Sequence, residues 1–373
     1  MNTKQKKGKT RKEFIIDTSK GAFGVALGGM LWPKLIFERS HTRTPKVLTH
    51  IAFGSCAKQD QSQPIWDAIV DRNPGVFLFL GDNIYGDTED MSVLEEKYGM
   101  LAAKPGYQRL LEKCPVLSTW DDHDYGQNDA GAEYVKKKES EQVFMDFFDI
   151  PEDSPRRNHP GIYGSYIFGP EGKRVQIIML DTRYFKDTSG RQRNDAPEEE
   201  KEKQNVVGWY KPSDDTTSTL LGEDQWAWLE EQLKEEADIR IIGSSVQFLA
   251  YEKGMESWGN YPHERSRFFD LIEETEANGV LFISGDVHFS ELSRSEEGPY
   301  PLYDFTCSGM THFHEGWSQA VNNFRVGDAY AGYNAGLIRI DWEKEDPLIH
   351  FNTITESGEV VLDHTINKSE LMV

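Results

Sequence analysis

The chain has 373 residues, 38% of them hydrophobic and 12% aromatic, and a formal charge of −22 at pH 7. That is enough apolar mass for one large α/β domain or two ordinary ones, and the charge argues against nucleic acid as a default partner, because a polyanion is repelled at long range. The three cysteines, Cys56, Cys114 and Cys307, exclude a disulfide framework and leave at least one thiol unpaired.

Residues 1–12 carry Lys4, Lys6, Lys7, Lys9, Arg11 and Lys12, and a glycine-rich apolar run follows at 21–32. That run is short for a membrane span and suits the apolar part of an export signal, so residues 1–40 are expected to be an export signal or an N-terminal membrane anchor. Thr10-Arg11-Lys12-Glu13-Phe14-Ile15 resembles a twin-arginine export motif with lysine in place of the second arginine. An exported protein, periplasmic, extracellular or on the outer surface of the cytoplasmic membrane, is the expected localisation.

Residues 47–53 predict a first strand, with a sharp turn at Gly54-Ser55-Cys56. A helix at 65–70, stopped by residues 71–75, leads into an unbroken apolar run at 76–80. Without polar alternation that run reads as a strand buried on both faces, and Gly81-Asp82 at its tip delivers oxygen ligands where such strands build sites. Helices are expected at 92–100 and 107–113, then a short strand at 116–119 ahead of Trp120-Asp121-Asp122-His123-Asp124. A charged amphipathic helix at 133–148 and a hairpin at 164–168 and 174–180 lead to Asp181-Thr182-Arg183, and residues 186–219 read as a long polar surface loop.

A helix from Gly222 carries Trp226, Leu229 and Leu233 on one face and precedes a strand at 239–245, with Gln247 near its end. An aromatic loop at 257–261, a helix at 262–277 and a second Gly-Asp strand at 280–288 follow. Strands at 303–310, 337–341, 348–355 and 359–364 complete the pattern. Strands alternating with helices imply an α/β fold with sites at strand ends, and the lack of a linker after residue 47 predicts one catalytic domain over 47–373.

Asp82, Tyr85, Asp122, Asp286, His288 and Cys56 thus form an oxygen, nitrogen and sulfur donor set drawn from four strand ends. A carboxylate bridging two ions holds them about 3.5–4 Å apart, the spacing that activates a hydroxide and stabilises an in-line displacement. Thiolate and phenolate suit ferric iron at one position, while carboxylates suit calcium, manganese or magnesium at the other. His123 lies between two carboxylates that raise its pKa and favour a general acid. Arg183, just past a buried strand, suits a bidentate phosphate contact. Each residue also has a plainer reading: a turn cap for Asp82, a buried thiol for Cys56, a core aromatic for Tyr85. His312 and His314 have ligand-like spacing but are set aside, because the donor set is already full.

Phe53-Gly54-Ser55-Cys56, Gly81-Asp82-Asn83-Ile84-Tyr85, Trp120-Asp121-Asp122-His123-Asp124, Leu180-Asp181-Thr182-Arg183 and Gly285-Asp286-Val287-His288 resemble, in order and approximate spacing, the blocks of PhoD-like alkaline phosphatases and phosphodiesterases. Trp258-Gly259-Asn260-Tyr261-Pro262-His263-Glu264-Arg265 and Tyr303-Asp304-Phe305-Thr306-Cys307-Ser308-Gly309-Met310 are similar to two further family blocks. The resemblance implies a calcineurin-like metallophosphatase fold, a four-layer α/β/β/α sandwich of two mixed sheets flanked by helices. It implies two metal ions, Fe3+ and Ca2+, with Zn2+, Mn2+ or Mg2+ as alternatives. Cys56, Asp82, Tyr85 and Asp286 or His288 would hold the iron, Asp82 would bridge to calcium, and Asp122 would fill the place of an asparagine ligand. His123 would protonate the leaving oxygen with Asp124 orienting it, and Arg183 would bind phosphate.

Two departures from the family pattern stand out. Gln247 replaces a histidine that many metallophosphatases use as a ligand, and the chain is expected to lack an extra N-terminal β-domain. The expected function is metal-dependent hydrolysis of phosphate monoesters, diesters or both by a metal-activated hydroxide. A phosphodiesterase acting on teichoic-acid-like or phospholipid esters, and a catalytically inactive surface-attached binding protein, are the alternatives.

Overall fold

The computed structural model describes residues 42–188 and 191–373. Among them the strands form two large mixed sheets and one small two-stranded sheet. The six-stranded sheet runs Val360–Asn367, Leu348–Ile354, Ala335–Asp341, His50–Gly54, Val76–Leu80 and Val116–Thr119 from edge to edge, the last three strands parallel. The eight-stranded sheet runs Thr42–Thr44, Gly164–Phe168, Val175–Met179, Ile239–Gly243, Val280–Ser284, Leu302–Cys307, Ser290–Ser295 and Arg325–Tyr330. Its four central strands, Val175–Met179 to Leu302–Cys307, are parallel.

The period of two along a strand explains the unbroken apolar run at Val76–Leu80. Val76, Leu78 and Leu80 share a core with Met179, Ile241 and Ile283 of the other sheet, whereas Phe77 and Phe79 share one with the helices. Phe77 and Phe79 meet Trp66 edge-on, with ring centroids 5.3 and 5.8 Å away. Burying each such side chain contributes about 1.5–3 kcal/mol, so neither face tolerates a polar residue. Ile65–Asp71, Met91–Ala102, Pro105–Lys113 and Lys137–Phe147 cover the six-stranded sheet, and Gly222–Leu233 and Pro262–Glu274 bury Trp226, Leu229, Leu233, Phe268 and Ile272 on the other side. The result is the expected sandwich of two mixed sheets between helices.

Some local expectations change. The stretch expected to be a plain loop at 186–219 holds the helix Glu198–Lys203 and the paired strands Gln192–Arg193 and Tyr210–Lys211. Ser290–Ser295 and Arg325–Tyr330 are strands that the sequence reading missed. Both are rich in polar residues, and they are strands because Leu302–Cys307 supplies a template that the first pairs with and the second extends. The helix expected from residue 133 starts at Lys137, and the one expected to reach 277 ends at Glu274. The expected export or anchor segment at 1–40 lies outside the described residues, among which no helix is long and apolar enough to cross a membrane. All three cysteines are free and buried.

Candidate active site

The parallel strands of both sheets end at one edge of the sandwich, and the loops beyond them carry the polar residues. Cys56 follows His50–Gly54, Asp82 follows Val76–Leu80, Asp122 follows Val116–Thr119, and Asp286 and His288 follow Val280–Ser284. The glycine in each Gly-Asp pair is a packing requirement. A Cβ on Gly81 would stand 2.4 Å from that of Asp121, and one on Gly285 would stand 2.5 Å from Ser55 Oγ. Cys56, Asp82, Asp286 and His288 all have positive φ, between 49° and 69°, a backbone state that non-glycine residues adopt at a cost and that recurs at functional sites.

One donor group gathers Cys56, Asp82 and His288, with ligand atoms all within 4.8 Å of one another. Cys56 Sγ and the Tyr85 hydroxyl approach Asp82 Oδ2 at 3.5 and 3.1 Å, and Tyr85 also lies 3.5 Å from His288 Nε2. The structure adds a residue that the sequence reading set aside: His312 Nε2 is 3.0 Å from the Tyr85 hydroxyl and 3.1 Å from His288 Nε2. Burial and the Asp82 and Asp286 carboxylates push the Cys56 thiol up. Burial, then other nearby cationic or titratable groups, push His288 down to about 3 and His312 down to about 4. Trp317 stacks on His288 at 5.3 Å and fixes the plane of its ring.

Asp82 also belongs to a second group, with Asp122 and His123. Its Oδ1 is buried without a hydrogen-bond partner. Burial pushes the Asp82 carboxyl well up, His123 opposes this, and Asp122 adds to it. Asp122 behaves oppositely: burial is outweighed by Arg183 and His123, so its carboxyl is held low and accepts from the amides of His123 at 2.9 Å and Asp129 at 2.7 Å. Asp286 offers its carbonyl to Cys56 Sγ at 3.8 Å, and its carboxyl is raised by burial, Asp121 and Asp122. Among the described residues that carboxylate stands outside both groups. So many buried carboxyls with so few cations at their oxygens form a donor set whose chemistry fits metal ions.

His123 is not oriented by Asp124, contrary to expectation. Its Nδ1 pairs with Asp87, 2.8 Å from Oδ1 and 2.9 Å from Oδ2. Burial favours the neutral ring, but Asp82, Asp87 and Asp122 outweigh it and hold the pKa up at about 11. Asp124 turns inward instead. Its Oδ1 accepts from the amides of Asp121 at 2.7 Å and Asp82 at 3.1 Å, and its Oδ2 from the Asn83 side chain at 2.5 Å. It is the third residue of the short helix Asp122–Tyr125, capped reciprocally by Asp121. The D-x-x-D spacing at 121–124 was the signal for that role.

Arg183, expected to bind phosphate, is held by protein groups. Its side chain is 0% exposed and committed to protein carboxylates, with Nε 2.5 Å from Asp121 Oδ1 and Nη1 2.7 Å from Glu256 Oε2. It is a buried brace between Asp121 and Glu256, and its Nη2 is buried without a hydrogen-bond partner. Lys186 and Arg191 bind the same Glu256 carboxylate, and Asp122, Asp129 and Glu256 make a third acidic cluster already neutralised by these cations. Gln247 is likewise occupied: its Nε2 donates to Glu291 Oε1 and Thr306 Oγ1, both at 2.8 Å, and its Oε1 accepts from Lys253 at 3.0 Å.

Comparison with known proteins places the fold and the family. A solved structure of PhoD superposes with a TM-score of 0.62 at 17% identity, covering 87% of this chain and 73% of that one. GAP50, the anchor in the inner membrane complex of Plasmodium, superposes with a TM-score of 0.55 at 14% identity, covering 86% and 89%. At these identities both show the fold alone. Alkaline phosphatase D of Bacillus subtilis (strain 168) is 26% identical over a 200-residue alignment that covers 48% of this chain and 32% of that relative, so the match spans only a part of the relative's length. The family model for PhoD-like phosphatases matches residues 51–371, and this chain belongs to the PhoD-like phosphatase family.

Proposed function

We propose that this chain is a metal-dependent phosphate-ester hydrolase whose two ions share Asp82. The observation that carries this reading is the double membership of Asp82: it joins Cys56 and His288 in one donor group and Asp122 and His123 in the other, and one of its oxygens is buried without a partner. Cys56, Asp82, Tyr85 and His288 would hold the ion that thiolate and phenolate prefer, Fe3+ or a similarly polarising ion such as Zn2+. Asp82 and Asp122, bordered by Asp286, would hold Ca2+, Mn2+ or Mg2+. When bound, such ions lower the pKa of water and polarise phosphoryl oxygens.

The protein's own groups do the rest. Asp82, Asp87 and Asp122 keep His123 protonated and Asp87 fixes Nδ1, which leaves Nε2 to donate a proton to the departing alcohol oxygen. Lys58, 5.6 Å from the centre of the Tyr85 ring, supplies positive charge at the mouth, where the chain's overall negative charge would otherwise repel a phosphate. Arg183, Lys186 and Arg191 are all engaged by Glu256, so they do not form a clamp for a dianion. That favours diesters, with one negative charge, over monoesters. In this reading residues 47–373 act as one catalytic unit, and residues 1–40 direct export or anchor the protein at the membrane.

The test is His123→Ala, assayed with an ester that has a poor leaving group and with an activated aryl ester. General acid catalysis is worth about 10²–10⁴-fold, so the first substrate should lose that factor and the second far less. Equal small losses would remove His123 from the role. Aryl diesters turned over faster than aryl monoesters would support the substrate class, and the reverse would overturn it. Protein purified without chelators that holds no metal and hydrolyses neither ester would instead be a binding protein.

A further inference from the structure

We propose that His312 is a direct ligand of the ion held by Cys56, Asp82, Tyr85 and His288, an inference that rests on the metal-dependent reading above. Thr311 Oγ1 is buried 2.7 Å from the Cys56 carbonyl, which can only accept, and 2.9 Å from the Lys58 amide, which can only donate. The single hydroxyl proton therefore goes to Cys56. The hydroxyl's remaining lone pair faces His312 Nδ1 at 2.8 Å, so that nitrogen carries the hydrogen. A neutral His312 then presents an unprotonated Nε2 to the site. Thr311 thus ties the ring's tautomer to the backbone of Cys56, the kind of outer contact that orients metal-binding histidines.

The distances agree. Cys56 Sγ, Asp82 Oδ2, Tyr85 Oη, His288 Nε2 and His312 Nε2 are linked by neighbour separations of 3.5, 3.1, 3.5, 3.0 and 3.1 Å. Donors about 2.1 Å from a shared ion stand roughly 3.0–3.4 Å apart, the separations at which His312 Nε2 meets Tyr85 and His288, and because His312 stands outside the 4.8 Å group of Cys56, Asp82 and His288 it would reach the ion from the side of those two neighbours. Two imidazole nitrogens beside a thiolate also set the selectivity: the group suits a transition ion and discriminates against calcium and magnesium, which take oxygen donors.

The experiment titrates Zn2+ against a chromophoric chelator in the full chain and in His312→Ala and His312→Gln, and records the visible phenolate band of iron-loaded protein. Removing even an outer partner of a ligand costs about 10–100-fold in affinity, so both variants should weaken Zn2+ binding by at least that and shift the band. Wild-type affinity and an unshifted band in either variant, with wild-type melting, would overturn the proposal. Should His312→Ala not fold, His312→Gln decides. Absence of transition-ion uptake by the wild type would sink both this inference and the metal-dependent reading. Uptake that depends on His312, without turnover of any phosphate ester, would support the ligand and remove only the hydrolase.

Discussion

The two carboxylate oxygens of Asp87 lie 2.8 and 2.9 Å from His123 Nδ1, while the His123 carbonyl accepts from the amides of Gly86 and Asp87 at 2.9 and 3.2 Å. The loop that carries Asp82 is thereby clasped to the loop that carries His123. Asp87→Asn should reduce turnover of esters with poor leaving groups by about 10-fold or more, part of what a general acid contributes. It should also move the alkaline limb of the rate profile to lower pH, because Asp87 is one of the carboxylates that raise His123. Asp124→Asn should lower thermal stability and leave that limb in place. Rate profiles of the two variants, measured side by side, decide between the partners.

Arg183→Met should act on stability. It leaves Asp121 and Glu256 with fewer counter-charges in a fully buried place, and breaking such a pair costs about 3–5 kcal/mol. Denaturant unfolding should show that loss, with KM little changed in the folded protein. A many-fold rise in KM at unchanged stability would restore the phosphate contact.

Gln247→Leu should leave metal content as it is. The substitution strips hydrogen bonds from buried Glu291, Thr306 and Lys253, and one unsatisfied buried polar group costs about 1–3 kcal/mol. Elemental analysis and a melting curve on the same sample separate the two effects.

Asp82→Asn should empty both ion positions together, because the same carboxylate belongs to both donor groups. Elemental analysis should then find neither ion, whereas Cys56→Ser should lose only the one its thiolate favours. Retention of one ion in Asp82→Asn would exclude the bridge.

Glu141 predicts a pH dependence outside the site. Burial first, and Asp181 next, raise its carboxyl from 4.5 to about 8. A carboxyl whose folded pKa exceeds its unfolded value binds more protons in the native state, so stability falls as pH rises through that window. Glu141→Gln should remove this contribution and melt higher than the wild type above pH 8, relative to its behaviour near pH 4.5. Melting temperatures across that range measure it.

Much of the architecture was legible because its signals are local. An unbroken apolar run at Val76–Leu80, ended by Gly81-Asp82, states that a doubly buried strand delivers a carboxylate, and Val280–Ser284 repeats the statement. Ser290–Ser295 was not legible, since its polar residues are held in a strand by a neighbour and not by their own preference. Asp124 carried a capping signal that was outweighed by its position beside His123.

The sequence by itself determined which donor types stand at the strand ends, and so the side-chain chemistry available there. Only the tertiary structure decided their partners. Arg183 meets Asp121 across 62 residues and Glu256 across 73, and His312 meets Tyr85 across 227. A residue's place at a strand tip follows from periodicity over a few positions, but which side chain faces it depends on how two sheets pack, and no local pattern carries that information.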